Sequence, residues 1–217
     1  MNPDDPIARA LEGIRDLYAG NLAAHGRDSK SVGWKDEASQ LVRFDRLARV
    51  VDRRGSDAGC TVNDWGCGYG AMFPFLEGRF GDALAGYTGY DISQDMLDAA
   101  ARSIASPRAR FVLGREVTEE ADYTFVSGTF NVKLDTGDAD WDLYVRDTLS
   151  AIYARSRRGL AFNLLTSYVD WKQDTLFYAD PSEYFDFCKR QLSRYVTLVH
   201  DYPLYEWTIL VHREPLT

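Results

Sequence analysis

The chain has 217 residues, 45% of them apolar and 13% aromatic, which suits a single globular domain with a buried core. Its formal net charge of −8 argues against nucleic acid as a partner, because binding a phosphate backbone rests on Lys and Arg. With no bilayer-length apolar run, no signal-peptide character in Met1-Asn2-Pro3-Asp4-Asp5 and no metal or disulfide spacing among Cys60, Cys67 and Cys188, a cytoplasmic protein without membrane or metal is expected.

Residues 1–56 read as a helical cap and 57–217 as the core of the same domain. Ile7, Leu11, Ile14 and Leu17 recur at helical spacing over Pro6–Tyr18. A polar loop from Gly20 to Gly33 follows, with His25 inside it. Leu41, Phe44, Leu47, Ala48 and Val51 then mark an amphipathic helix over about Lys35–Asp52, and Gly55-Ser56 break the chain.

Strands are expected near 61–64, 85–90, 109–113, 123–127, 159–165, 195–201 and 206–212. Helices alternate with them near 70–78, 94–104, 140–155 and 182–193. Such alternation predicts a parallel sheet covered by helices on both faces. Only Tyr202-Pro203-Leu204-Tyr205 separates the last two strands, too short for a crossover, so they form an antiparallel hairpin. Arg155, Arg157 and Arg158 form a local basic cluster, read as the solvated end of a helix.

The first strand runs into Asp64-Trp65-Gly66-Cys67-Gly68-Tyr69-Gly70. Glycine at every second position permits positive φ and lets a ligand approach the backbone. The second strand ends in Tyr90-Asp91-Ile92-Ser93. An ionised carboxylate there can accept hydrogen bonds from two vicinal hydroxyls, and Asp91 follows the glycines at the distance expected of a ribose binder. The loop lacks the third glycine of dinucleotide binders, and the acid Asp64 beside it would repel a pyrophosphate but attract a cationic ligand.

This motif pair resembles that of the class I S-adenosylmethionine-dependent methyltransferases, over about residues 35 to 213. The resemblance implies a Rossmann-like, seven-stranded, mostly parallel sheet with an antiparallel C-terminal hairpin and an N-terminal helical cap. It also implies S-adenosyl-L-methionine as cofactor and S-adenosyl-L-homocysteine as product. Asp64, Gly66, Cys67, Gly68 and Gly70 would then cradle the methionine moiety, and Asp91 the ribose. Ile92 and Met96 would lie beside adenine, with Glu116 as the acid after the third strand. Ser127, Phe130 and Asn131, at the end of the fourth strand, would line the reaction centre.

Gln40 and Arg43 are candidates for holding the methionine carboxylate, Arg for its bidentate geometry. Tyr18, Trp34, Tyr168 and Trp171 are candidates for enclosing the donor or the substrate, with Thr166–Lys172 as a lid. A hydroxyl or ammonium acceptor needs its proton removed, and His suits that role. His25 in the N-terminal loop and His200 at the hairpin are the candidate bases, whereas His212 is placed at a sheet edge. The expected activity is methyl transfer to an oxygen or nitrogen of a small molecule. The alternatives are a nucleotide-dependent oxidoreductase and a methyltransferase-like subunit without catalysis.

Overall fold

The computed structural model describes residues 5–52 and 59–216; the expected break at Gly55-Ser56 and the boundary at 56/57 lie outside them. Two cap helices come first, α1 (Pro6–His25) and α2 (Glu37–Ala48), joined through a 3-10 turn at Ser29–Val32. The loop expected from Gly20 is shorter than read, because α1 continues to His25. Leu22, Ala23 and Ala24 are strong helix formers and outweigh one Gly20. Gly26, at φ 64°, stops the helix and returns its N–H to the Leu22 carbonyl.

The core follows as β1 (Cys60–Trp65), α3 (Met72–Phe80), β2 (Leu84–Asp91), α4 (Gln94–Ser103), β3 (Ala109–Leu113), β4 (Ala121–Val126), α5 (Asp138–Ala154), β5 (Ser156–Thr166), β6 (Tyr178–Ala179), α6 (Pro181–Phe187), β7 (Tyr195–Val199) and β8 (Glu206–His212). The sheet order is β3-β2-β1-β4-β5-β8-β7. Its first five strands are parallel, while β8 runs antiparallel to both β5 and β7. The α/β architecture with a C-terminal hairpin is therefore as expected. One strand had no sequence signal: two-residue β6 pairs in parallel with the end of β5. β8 lies inside the sheet rather than at its edge, so His212 is buried between neighbours.

Strand periodicity divides the core into two layers. Phe162, Ile209 and Val211 face α5, packing with Trp141, Val145 and Leu149. Ala161 and Leu210 point the other way, onto Phe44 and Leu47 of α2 and Phe73 and Leu76 of α3. That second layer seats the cap: α2 is amphipathic, and Leu47 is fully buried. Leu47→Ala is expected to cost about 2–5 kcal/mol in a urea melt, as for other buried Leu truncations. An unchanged midpoint would mean that α2 does not pack on the sheet as described.

Candidate active site

The strand order reverses between β1 and β4, and a crevice forms there at the C-terminal ends of the strands. Gly66 turns the chain out of β1 at φ 76°, where a Cβ would lie 2.3 Å from Thr129 Cγ2. The Gly66 and Cys67 N–H groups donate to the Tyr90 carbonyl at 2.8 and 3.0 Å, fastening the turn to β2. Gly68 N–H donates to Asp91 Oδ2 at 2.8 Å, and Ser93 N–H to Oδ1 at 2.9 Å. Each carboxylate oxygen keeps a second lone pair for a ligand.

A cavity of ≈ 970 Å³, open solvent at its mouth included, extends from this turn under the cap. Ile92, Met96 and Gly114 line it near Asp91; Trp65, Phe130, Trp141 and Tyr144 form an aromatic wall. Leu11, Ile14 and Tyr18 roof it from α1, and Gln40 lines it from α2. Trp65 and Phe130 stack with ring centroids 5.0 Å apart.

The wall carries two buried acids. Burial pushes the Asp64 carboxyl up to about 7, with Asp91 raising it further and a 2.5 Å hydrogen bond from the Tyr87 hydroxyl opposing the rise. Burial also raises Asp91, although backbone donors at Ser93, Gly68 and Ile92 favour the charged form. The Tyr18 hydroxyl is pushed up to about 12 by burial and by Asp91, and burial holds the Cys67 thiol protonated. Such a wall fits an adenosyl ligand with a ribose diol, a flat aromatic base and a positively charged sulfonium. A pyrophosphate at the glycine turn would meet two acids instead, which disfavours the dinucleotide alternative.

No protein-family model matches the chain. A protein of Mycobacterium tuberculosis (strain ATCC 25618 / H37Rv) named "Putative methyltransferase Rv1506c" is 46% identical over 156 residues, covering 70% of this chain and 93% of that one. The chain belongs to the class I S-adenosylmethionine-dependent methyltransferases. Solved structures share the fold at low identity. Magnesium protoporphyrin IX methyltransferase from Synechocystis PCC 6803, with bound S-adenosylmethionine, superposes with TM-score 0.65 at 12% identity, over 99% of this chain and 100% of that one. The structure titled "DhpI-SAM-HEP complex" gives 0.64 at 14% identity, over 98% and 100%.

In this methyltransferase, Gln40, Asp64, Gly66, Cys67, Gly68 and Asp91 are brought together on the cavity wall. Ile92, Met96, Ser127, Phe130 and Tyr18 join them. Gly70 instead faces the core, where a Cβ would lie 2.7 Å from Ile104 Cδ1. Arg43 is not available for a carboxylate ligand, because Glu206 already holds it bidentately at 2.6–2.9 Å. Glu116 is exposed, and Gly114 and Arg115 occupy the wall where it was expected.

His25 is exposed at the end of α1, and His200 is exposed in the hairpin turn, 6.0 Å from the Tyr168 ring. Neither lines the cavity. Tyr168 and Trp171, 66% and 67% exposed, stand away from it too, so the loop after β5 does not act as its lid in this conformation. Asn131 is buried behind the wall rather than on it. The sequence placed Leu11 and Ile14 on the apolar face of a helix and singled out neither Trp141 nor Tyr144; helical spacing shows which face turns inward, not that a cavity lies there.

Asp64 gives a pH signature. Its folded pKa of about 7 lies above its ordinary value, so the unfolded chain releases the proton first as pH rises. Stability of the ligand-free protein is therefore expected to fall between about pH 4 and 7, and Asp64→Asn to flatten that fall in thermal melts. An equal slope in the variant would assign the dependence to other groups.

Proposed function

We propose that this methyltransferase acts on a small molecule, transferring a methyl group from S-adenosyl-L-methionine to an oxygen or nitrogen. The observation that carries the reading is the enclosed aromatic cavity, roofed by α1 and continuous with the Gly66–Gly68 turn. A nucleic acid would need an open groove with cationic walls. The basic cluster offers none: Arg157 pairs with Asp122 at 3.1 Å, and Arg158 with Asp52 at 2.7 Å.

The bound donor would supply an electrophilic methyl carbon on a positively charged sulfur. The chain contributes position and environment. Asp91, fixed by two backbone amides, would orient the ribose. Asp64 would face the donor's positive charge, and the Trp65–Phe130 stack with Leu11 and Ile14 would exclude water. Binding a cation beside Asp64 favours its ionised form, so donor affinity is expected to weaken as pH falls below about 7.

Isothermal titration with S-adenosylmethionine, S-adenosylhomocysteine and NADH tests the cofactor. Micromolar binding of both adenosyl ligands is expected, weakened at least tenfold in Asp91→Ala. Binding of NADH alone would reverse the assignment. A substrate screen by mass shift, scoring a gain of one methyl group, then tests the acceptor class.

A further inference from the structure

We infer that Trp34 seals a polar compartment beside the cavity, built from Arg43, Ser127 and Asn131, that recognises a hydroxyl of the methyl acceptor. The inference rests on the methyltransferase reading and narrows its substrate to alcohols or phenols.

Five buried side-chain atoms have no hydrogen-bond partner among the described residues: Arg46 Nε and His212 Nε2, and, on residues near Trp34, Arg43 Nη1, Ser127 Oγ and Asn131 Oδ1. Buried polar atoms are normally paired, so a group of them marks a place where a ligand completes the set. Two of the three residues near Trp34 flank Gly128: Ser127 precedes it, and a Cβ on Gly128 would stand 3.3 Å from Asn131 Nδ2. The same Cβ would stand 2.1 and 2.4 Å from Trp34 Cη2 and Cζ2, while the Arg43 guanidinium lies 3.7 Å from the Trp34 ring centroid. The breadth of one indole spans the group.

Trp34, Ser127 and Gly128 line the cavity, whereas Arg43 and Asn131 do not. The indole thus stands as a partition between the cavity and the two deeper side chains. It is carried by the link before α2, just after Gly33 in the left-handed conformation at φ 78°. The Trp34 backbone N–H donates to the Ser29 carbonyl at 2.9 Å, which anchors the link.

The chemistry of the compartment selects its ligand. Arg43 is already neutralised by Glu206, so a second anion gains little attraction there. An ammonium has donors only and would face a guanidinium; an ether has no proton to give. A hydroxyl accepts from Arg43 Nη1 and donates to Asn131 Oδ1, with Ser127 Oγ able to do either. Rotating the Asn131 amide turns the trio into donors, which suits the same oxygen once ionised. The aromatic wall beside it favours a phenol over an aliphatic alcohol.

The test is titration of the full-length Trp34→Ala variant with phenol, toluene and benzylamine. Phenol is expected to bind this variant at least tenfold tighter than wild type, and at least tenfold tighter than the more apolar toluene. Benzylamine, cationic at neutral pH, is expected to bind most weakly. Adding Ser127→Ala or Asn131→Leu should bring phenol to the level of toluene; Ser127→Ala removes one oxygen and serves if the Asn131 variant fails to fold. Toluene matching phenol, or either folded double variant keeping the preference, would overturn the inference. Titrating the same proteins with S-adenosylhomocysteine separates the two readings. Binding there with no phenol preference sinks the hydroxyl site alone. No binding even to wild type sinks the cofactor reading, while the phenol comparison still decides the compartment.

Discussion

The interaction on which the site's architecture depends is the buried ion pair between Arg43 of α2 and Glu206 of β8. The two side chains are 8% and 1% exposed, so both charges have left water. Such a pair is a weak source of net stability, but removing one partner strands the other at a cost of about 3–5 kcal/mol. Its consequence here is registry. Glu206 also accepts from Asn163 Nδ2 at 2.6 Å, and Asn163 Oδ1 accepts the Gly128 N–H at 2.8 Å. One hydrogen-bonded chain therefore runs from the cap through β8 and β5 to the end of β4. Trp34, stacked on the guanidinium, inherits its position from that chain.

A second constraint acts from the opposite side. Asp64 and Asp91 share one buried wall: burial raises both carboxyls, and Asp91 raises Asp64 as well. The fold tolerates this because the Gly66–Gly68 turn supplies backbone donors to Asp91, and Tyr87 supplies a hydroxyl to Asp64. Apo stability and donor binding are thus opposed: the arrangement that penalises ionised acids in the empty cavity favours a ligand bringing positive charge. Preorganised sites commonly carry this kind of local cost.

The parts legible in the sequence were those encoded locally. Period-two and helical patterns located the strands, and the glycine turn with Asp91 located the crevice, because each depends on residues within a few positions. The parts that were not legible depend on distant partners. Arg43 read as a carboxylate binder because Glu206, 163 residues away, gives no sign in sequence of pointing back at it. The aromatic loop after β5 read as a lid because composition does not reveal that Tyr168 and Trp171 face outward. His25 read as a loop base because one glycine suggested a helix end that Leu22, Ala23 and Ala24 override.

The placement of the histidines bears on the chemistry. His25 and His200 are outside the cavity wall, and His212 is paired with Gly159, at the opposite end of β5 from Thr166 and the ligand-binding edge. Proton removal by an imidazole in the cavity therefore has no geometric support in this conformation. At Arg43, whose charge Glu206 already balances, a hydroxyl can accept from the unpaired Nη1, whereas an ammonium has no lone pair to offer it. Oxygen as the acceptor atom thus rests on the unpaired polar side chains beside Trp34; the missing histidines add nothing to it, since a hydroxyl also has a proton to lose.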